Sequence, residues 1–280
     1  MVDIQMQRKA GVDTVQAQSQ ASRGVRRWPG LAQWLPPAIT FALAIVAWQW
    51  YASGHPYVIP RLDDVWASLR ESPDMYWANF RRTMSEILIG GVGGLVAGFL
   101  FAVLMAELPV FERALMPLFI IIMVTPVVAL APAMVVAFGF GMFPKYLVTG
   151  IVTFYPLMVN ALAGLRDVDS QALDVFRTLH ASRWETFWRL RVPSSLPFLF
   201  AGLKIALPLT VVGAVVAEFS ASGEMAGLGA LIMVAASQAN IVILWASIFI
   251  LCALGIAIVI ALSLAQKKVV FWESGSQKRS

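Results

Sequence analysis

The stretch QALDVFRTLHASRWETFWRLRVP, residues 171–193, is a long charged segment in a sequence that is otherwise largely apolar. Apolar runs at roughly 144–165 and 195–217 lie on either side of it. A helix that rises 1.5 Å per residue needs ~20 residues to cross ~30 Å of hydrocarbon, so each run predicts a membrane-spanning helix. The charged segment is therefore expected at one face of a membrane.

Two short amphipathic helices are predicted within this segment, at about 170–178 and 182–190, because apolar residues recur there at helical spacing. The break between them falls at residues 180–182. Ser182 and Glu185 are spaced as a capping box, which favours a helix start at this point. Pro193 and Pro197 are expected to open the next membrane-spanning helix, where a missing N–H costs little.

The composition of the whole chain predicts an all-α polytopic membrane protein. Its 280 residues are 59% hydrophobic, with a mean hydropathy of +0.74. This is too apolar for a soluble domain, and the chain is too long for a single anchor. The single cysteine, Cys252, excludes an internal disulfide.

About six membrane-spanning helices are predicted, at 31–51, 84–106, 114–136, 144–165, 195–218 and 241–265. Residues 31–265 form the predicted membrane domain, with a loop at 166–193 and with polar tails at 1–30 and 266–280. An amphipathic piece around Asp63–Glu71 is expected outside, lying on the membrane. With both termini inside, 15 of the 21 Lys and Arg residues fall on the cytoplasmic side. The positive-inside rule therefore places the charged segment in the cytoplasm and accounts for the net charge of +5 without nucleic acid; Lys145 falls outside.

Gly90, Gly94 and Gly98 recur at four-residue spacing within the second predicted span. Small residues at this spacing allow two helix backbones to approach closely in a membrane. A nucleotide-binding glycine loop is the alternative, but no Lys-Ser/Thr follows the glycines. Close helix packing is the favoured interpretation.

No set of catalytic or metal-ligating residues stands out in the sequence, and no Walker sequence occurs in it. Ionisable residues in spans usually face a bundle interior or a cavity, because a charge at mid-bilayer is costly. The candidates for a translocation path are Thr125, Tyr155, Asn160, Lys204, Thr210 and Glu218. The polar members of this set serve equally well as interhelical hydrogen-bonding groups, and that alternative stays open.

The spacing Asp174-Val175-Phe176, three residues, His180, nine residues, Leu190-Arg191-Val192-Pro193 resembles the "EAA" loop of permease subunits in ATP-binding-cassette (ABC) importers. His180 occupies the position where the family has Gly, in a turn where a positive φ suits Gly best. Further segments are similar to the branch that imports nitrate, sulfonates, taurine and thiamine-pyrimidine precursors. They include Phe138-Gly139-Phe140-Gly141, Phe154-Tyr155-Pro156, Gly164-Leu165-Arg166 and Gly202-Leu203-Lys204.

The resemblance implies a type I ABC importer membrane domain that is not itself an enzyme and holds no cofactor, since ATP binds to a partner ATPase subunit. It further implies an extracytoplasmic solute-binding protein, a permease homodimer and a location in the bacterial plasma (inner) membrane. The ATPase-coupling residues implied are Asp174, Val175, Phe176, Arg177, Leu179, His180, Arg183, Trp184 and Phe187.

Two other classes of protein compete with this interpretation. A secondary transporter that is not driven by ATP would show repeated halves and a central ionisable relay, neither of which the sequence displays. A membrane-embedded enzyme would need a catalytic cluster. The solute stays open among a pyrimidine or other small heterocycle, a sulfonate and nitrate.

Overall fold

The computed structural model describes residues 30–220 and 226–270, and these residues form helices joined by short turns. The helices in the described part are α1 (Gly30–Gly54), α2 (Leu62–Glu71), α3 (Pro73–Glu107), α4 (Pro109–Val124), α5 (Val127–Phe138), α6 (Met142–Arg166), α7 (Ser170–Thr178), α8 (Arg183–Ser220), α9 (Leu228–Ser237) and α10 (Ile241–Val269). The all-α fold class is confirmed. The predicted tails lie largely outside the described residues, although α10 extends through Val269.

The chain divides into two compact units, Met1–His55 and Pro56–Ser280. The first unit contains α1, which is apolar along its length from Leu35 to Gly54. The second unit contains α2 to α10 and every feature described below. Five helices in the described residues are long and apolar enough to cross a bilayer, namely α1, α3, α6, α8 and α10.

The third predicted span, 114–136, is not one straight helix. It consists of α4 and α5, whose axes differ by 103°. The break falls at Thr125 and Pro126, which have extended backbone angles. A proline ring disfavours helical geometry in the preceding residue, so Pro126 forces Thr125 out of the helix. If the pair is counted as a single broken span, the total reaches the six that were predicted.

The second helix of the charged segment does not end near residue 190, and this part of the prediction is wrong. It begins at Arg183 and continues without a break through Pro193 to Ser220 as α8. A π-helical turn at Phe187–Arg191 immediately precedes the proline. Pro193 has no N–H for the carbonyl of Arg189, and its ring crowds that carbonyl. The wider π-helical turn accommodates both effects and lets the helix continue.

The glycine stripe on α3 packs against α6, as predicted. A Cβ atom placed on Gly90 would lie 2.6 Å from the carbonyl oxygen of Tyr146, and one on Gly98 would lie 2.7 Å from that of Phe154. A Cβ on Gly94 would overlap the backbone of Gly150. The two backbones are therefore in direct contact over two turns, which is the role that small residues play between membrane helices.

The core of the second unit lies where α3, α6 and α8 meet. Met105, Met158, Ala161 and Leu165 are almost completely buried in one cluster at the end that leads into the charged loop, and Phe187 packs against them from the start of α8. Beside this cluster, Gly164 and Gly202 keep α6 and α8 close. These three helices form a rigid frame from which the cytoplasmic loop projects.

Helix α2 packs onto this frame at the outer end. Its buried Val65 contacts Tyr76 of α3 and Ala246 of α10, and the Ser68 hydroxyl lies 2.7 Å from the Tyr76 hydroxyl. The amphipathic helix predicted around Asp63–Glu71 is therefore present. It packs against α3 and α10, and the residues from Pro73 onward, which precede the predicted span at 84–106, already belong to α3.

Candidate functional site

The charged loop between α6 and α8 has a capped start to each of its helices and a left-handed turn at His180. The Asp169 side chain caps α7 by accepting a hydrogen bond from the backbone N–H of Gln171 at 2.9 Å. His180 has a φ of +53°, so the histidine does adopt the left-handed conformation that the turn requires. Ser182 and Glu185 form the complete capping box at the start of α8.

The predicted coupling residues divide into an exposed group and a packed group. Val175, Leu179 and Trp184 are 55%, 72% and 70% exposed, which is unusual for such large apolar side chains outside a lipid-facing span. Asp174 and Arg177 form an exposed ion pair at 3.0 Å, and Phe176 is half-buried. Phe187 is not part of the exposed surface, because it packs into the core cluster around Met105.

Both ends of the loop are attached by ion pairs to the turn between α3 and α4. The Arg166 guanidinium donates to both Glu112 carboxylate oxygens, at 2.8 and 2.6 Å, and to the Met105 carbonyl oxygen at 3.0 Å. At the other end, Arg191 donates to Glu107 at 2.7 Å. Bidentate guanidinium–carboxylate pairing fixes geometry as well as distance. These contacts connect the loop to α3 and α4 as well as to α8.

A cavity of about 320 Å³ lies at the bend between α4 and α5. It brings together two of the predicted path residues, Thr125 and Tyr155, beside Pro126 and Pro156. The remaining lining side chains are aliphatic, and no charged residue lines the cavity. The Thr125 hydroxyl donates to the Ile121 carbonyl oxygen at 2.8 Å. The site can enclose a small, largely apolar or aromatic molecule and offers it few polar contacts.

The other predicted path residues lie elsewhere. The Asn160 amide donates to the Pro156 carbonyl oxygen at 2.8 Å, and Thr210 is buried within 2.8 Å of the Thr153 hydroxyl. Asn160 and Thr210 therefore make local and interhelical hydrogen bonds, the alternative to a place on the translocation path. Lys204 is exposed on α8, and Glu218 lies at the outer end of that helix.

Glu218 is 2% exposed and fastens the backbone that leads into α9. Its carboxylate accepts a hydrogen bond from the Thr83 hydroxyl at 2.7 Å and another from the Gly229 N–H. Thr83 in turn accepts from the Leu228 N–H at 2.8 Å. The Gly227 N–H donates to Asn79 at 2.9 Å. We call Asn79, Thr83, Glu218 and residues 226–229 the outer anchor.

A buried ion pair lies next to the outer anchor. Lys145 Nζ is 3.5 Å from a carboxylate oxygen of Glu86, and the two side chains are 1% and 0% exposed. Lys145 also donates to the Ala226 carbonyl oxygen at 3.2 Å. The sequence analysis counted Lys145 among the outer-side charges, and the structure shows that its side chain is buried. Burial on α6 is possible because Glu86 and the carbonyl replace the lost hydration.

The sequence did contain a signal for this pair. Glu86 precedes Glu107 by 21 residues, and Lys145 precedes Arg166 by 21 residues, so each lies ~30 Å along its helix from a cytoplasmic ion pair. Opposite charges at equal depth on two packed helices predict an ion pair. No sequence pattern indicated a role for Thr83, because its hydrogen-bond partners Glu218 and Leu228 lie far from it along the chain. Within the described residues, no group of three or more His, Cys, Asp or Glu side chains is arranged to hold a metal ion.

Residues 94–270 match the family described as "Binding-protein-dependent transport system inner membrane component". The formylaminopyrimidine transport permease protein ThiX of Halalkalibacterium halodurans is 36% identical over 227 residues, which cover 80% of this chain and 90% of ThiX. The riboflavin transport system permease protein RibX of Chloroflexus aurantiacus is 30% identical over 254 residues, covering 88% and 92%. The taurine transport system permease protein TauC of Escherichia coli is 25% identical over 201 residues, covering 72% of each.

Proposed function

The chain is a multi-pass ABC transport permease that belongs to the family of binding-protein-dependent transport system inner membrane components, and we propose that a separate ATPase subunit drives a small solute through it. Like its relatives, it is a non-catalytic subunit of a transport system. In the arrangement that we propose, both termini face the cytoplasm and an external binding protein delivers the solute to the outer face.

The observation that carries the coupling proposal is the exposed apolar surface of α7 and its flanking turns. Val175 and Leu179 lie four residues apart and share one face, and Trp184 is exposed at the start of α8. An apolar helix face at the membrane's cytoplasmic side fits a groove in a partner protein better than it fits water. We assign this face, together with Asp174 and His180, to contact with the ATPase.

The ion pairs of Arg166 and Arg191 connect this contact surface to other helices. They attach the loop to the α3–α4 turn, while α8 continues from the loop to Glu218 without a break. Movement of the ATPase subunits on ATP binding would therefore reach three helices at once. Such motion can alternate the access of the path between the two sides of the membrane.

A second permease subunit would complete the path. Met123, Val124 and Thr125 are exposed beside the cavity at the α4–α5 bend, so a single chain supplies only part of the wall. Pairing of two identical subunits, each bound to one ATPase subunit, would cover these residues. Closed two-fold pairing is the commonest assembly of identical chains.

The lining of the cavity favours an uncharged heteroaromatic solute, such as a pyrimidine. Tyr155 offers an aromatic face and a hydroxyl, Thr125 offers a second hydroxyl, and no cation faces the cavity. Nitrate or a sulfonate would need a positive partner there, and Lys204 is not among the lining residues. The names of ThiX and RibX, which specify a pyrimidine and riboflavin, agree with this solute class.

Co-purification with the cognate ATPase tests the coupling proposal. Val175→Asp and Leu179→Asp should each abolish recovery of the ATPase with the permease, because a carboxylate would be buried in the apolar contact. Val110→Asp is the matched control, since Val110 is 76% exposed at the start of α4 and an acidic residue is favourable there. Equal recovery from all variants would refute the assignment of this face.

Transport by proteoliposomes tests the solute class and the energy source. With ATPase and binding protein present, Tyr155→Ala should reduce uptake of a pyrimidine solute about fivefold, whereas Tyr155→Phe should retain most of it, because aromatic stacking contributes about 1 kcal/mol. Uptake that proceeds down an ion gradient without any ATPase would overturn the proposal in favour of a secondary transporter.

A further inference from the structure

A polar cavity of about 500 Å³ lies behind α7, between this helix, the first turns of α8 and the cytoplasmic end of α3. Its polar lining comes from Glu107, Arg177, Arg183, Thr186 and Arg191. It is distinct from the cavity at the α4–α5 bend, with which it shares no lining residue.

The charged groups that line this cavity leave an excess of positive charge. Three guanidinium groups face it and only one carboxylate, that of Glu107, which pairs with Arg191. Arg177 pairs with Asp174, and no carboxylate of the described residues lies within ion-pairing distance of Arg183. Because each guanidinium carries five N–H donors, all three retain donors after these contacts. An anion with several acceptor oxygens would satisfy them.

The cavity faces away from the surface assigned to the ATPase. Leu173 and Arg177 line it from one side of α7, whereas Val175 and Leu179 are exposed on the helix face ~200° away. An ATPase seated on Val175 and Leu179 would therefore leave the cavity unfilled. The occupant must reach it from the side of the membrane.

The position of the cavity along the helices matches the headgroup level of the cytoplasmic leaflet. Glu107 is the last residue of α3, and Arg191 precedes the apolar part of α8. Trp188 lies on the same turns of α8 and is 49% exposed. Tryptophan is enriched at the membrane–water interface. At this level the abundant anions are the phosphate groups of phospholipids.

We propose that the Arg177–Arg183–Arg191 cavity binds the phosphate-bearing headgroup of an anionic phospholipid from the cytoplasmic leaflet. The phosphate oxygens accept hydrogen bonds from Arg183 and Arg191, and the acyl chains lie along the apolar surface of α8. A bound lipid then holds α7 at a fixed distance from α3. Its consequence for transport rests on the proposed coupling function, because lipid binding would set the position of the surface that the ATPase contacts.

The test measures lipid binding to the purified full-length chain in neutral detergent, without ATPase, by native mass spectrometry and thermal stabilisation. Phosphatidylglycerol is the probe and phosphatidylcholine is the neutral comparison. Arg183→Gln should weaken phosphatidylglycerol binding about tenfold, because it removes a charge-assisted hydrogen bond. Arg183→Lys keeps the charge but not the bidentate geometry, so its affinity for phosphatidylglycerol should fall between those of the wild type and Arg183→Gln. Arg189→Gln is the matched control, because it removes the same charge from α8 outside the cavity and should leave binding within about twofold of wild type.

Equal binding of phosphatidylglycerol and phosphatidylcholine, or equal loss in Arg183→Gln and Arg189→Gln, would overturn the proposal. Inorganic phosphate is a separate arm. If phosphate displaces the lipid and stabilises the chain equally well, the site belongs to a soluble anion and the lipid assignment fails. Val175→Asp should lose the ATPase and keep phosphatidylglycerol binding, so failure of the coupling proposal and failure of this one give different results.

Discussion

Gly227 and Glu218 show how a single backbone position and a single carboxylate define the outer anchor. Gly227 has a φ of +124°, and a Cβ there would overlap the Glu218 carboxylate. The absence of a side chain therefore allows the carboxylate to lie against the backbone and accept the Gly229 N–H. Removing the carboxylate would leave that N–H buried without its acceptor, because Gly229 is itself buried.

We expect Glu218→Ala to lower the free energy of unfolding by about 1–3 kcal/mol, because the Gly229 N–H and the Thr83 hydroxyl lose a buried acceptor. Gly227→Ala should be at least as destabilising, owing to the overlap and the strained φ. The measurement is thermal unfolding of the purified chain in detergent. Glu71→Ala on the exposed end of α2 and Gly255→Ala, where a Cβ meets no atom within 4 Å, are the controls that should change little.

His180 presents the opposite case, because a side chain is present where glycine would fit better. Its φ of +53° costs about 1 kcal/mol for a residue with a Cβ. His180→Gly should therefore stabilise the chain by up to about 1 kcal/mol, and His180→Val should destabilise it by a similar amount. Thr178→Gly, inside α7, is expected to be destabilising. If both glycine substitutions shift the unfolding temperature in the same direction, the turn does not limit stability.

At the scale of helices, the seam between α3 and α6 depends on which glycine faces the partner. Gly94 lies against the Gly150 backbone, whereas a Cβ on the adjacent Gly93 would meet no atom within 4 Å. The same substitution at neighbouring positions therefore has opposite consequences. Close contact between the two backbones is what the small residues provide.

Gly94→Ala should lower thermal stability in detergent by about 1–3 kcal/mol, the usual cost of overpacking. Gly93→Ala should be neutral or slightly stabilising, because alanine is the better helix former by about 1 kcal/mol. Comparison of the two unfolding curves provides the test. Similar losses in both variants would show that flexibility of α3, and not close packing, explains the glycines.

At the scale of the whole molecule, α8 connects the proposed ATPase contact to the outer anchor. It begins with the capping box at Ser182, crosses the core and reaches Glu218 near its end. The Arg166 and Arg191 ion pairs hold its cytoplasmic end to the α3–α4 turn. A continuous helix between the two ends is the simplest physical link between events on the two sides of the membrane.

Glycine substitutions on the exposed side of α8 should weaken the coupling between the proposed ATPase contact and the outer anchor. Ile205→Gly combined with Val212→Gly removes two exposed side chains and costs about 0.5 kcal/mol of helix propensity at each position. ATPase recruitment should be unchanged, whereas ATPase stimulation by solute-loaded binding protein should fall at least about fivefold. Ile256→Gly with Leu264→Gly makes an equivalent change in α10, and full stimulation is expected there. Loss of stimulation in both variants would point to general destabilisation.

The sequence predicted the capped start of the second helix in the loop, because the Ser182–Glu185 capping box depends on residues three positions apart. It also predicted the glycine seam, since small residues at four-residue spacing have few other uses in a membrane helix. The two short helices followed from amphipathic periodicity, whereas the exposure of Val175, Leu179 and Trp184 did not. Phe187 did not follow, because its burial depends on Met105 and Leu165, which are far away in sequence.

The features that could be predicted from the sequence are local or statistical: apolar runs of spanning length, the charged loop between two of them, and the resemblance to an importer permease. Packing of the helices was needed to show that Glu218 holds residues 226–229, and that Thr125 and Tyr155 share a cavity while Thr210 does not. The difference lies in the distance along the chain over which the underlying interactions act. Hydropathy and capping act within a few turns of one helix, whereas buried polar groups are satisfied by partners from other helices, whose approach is set by packing of the whole bundle.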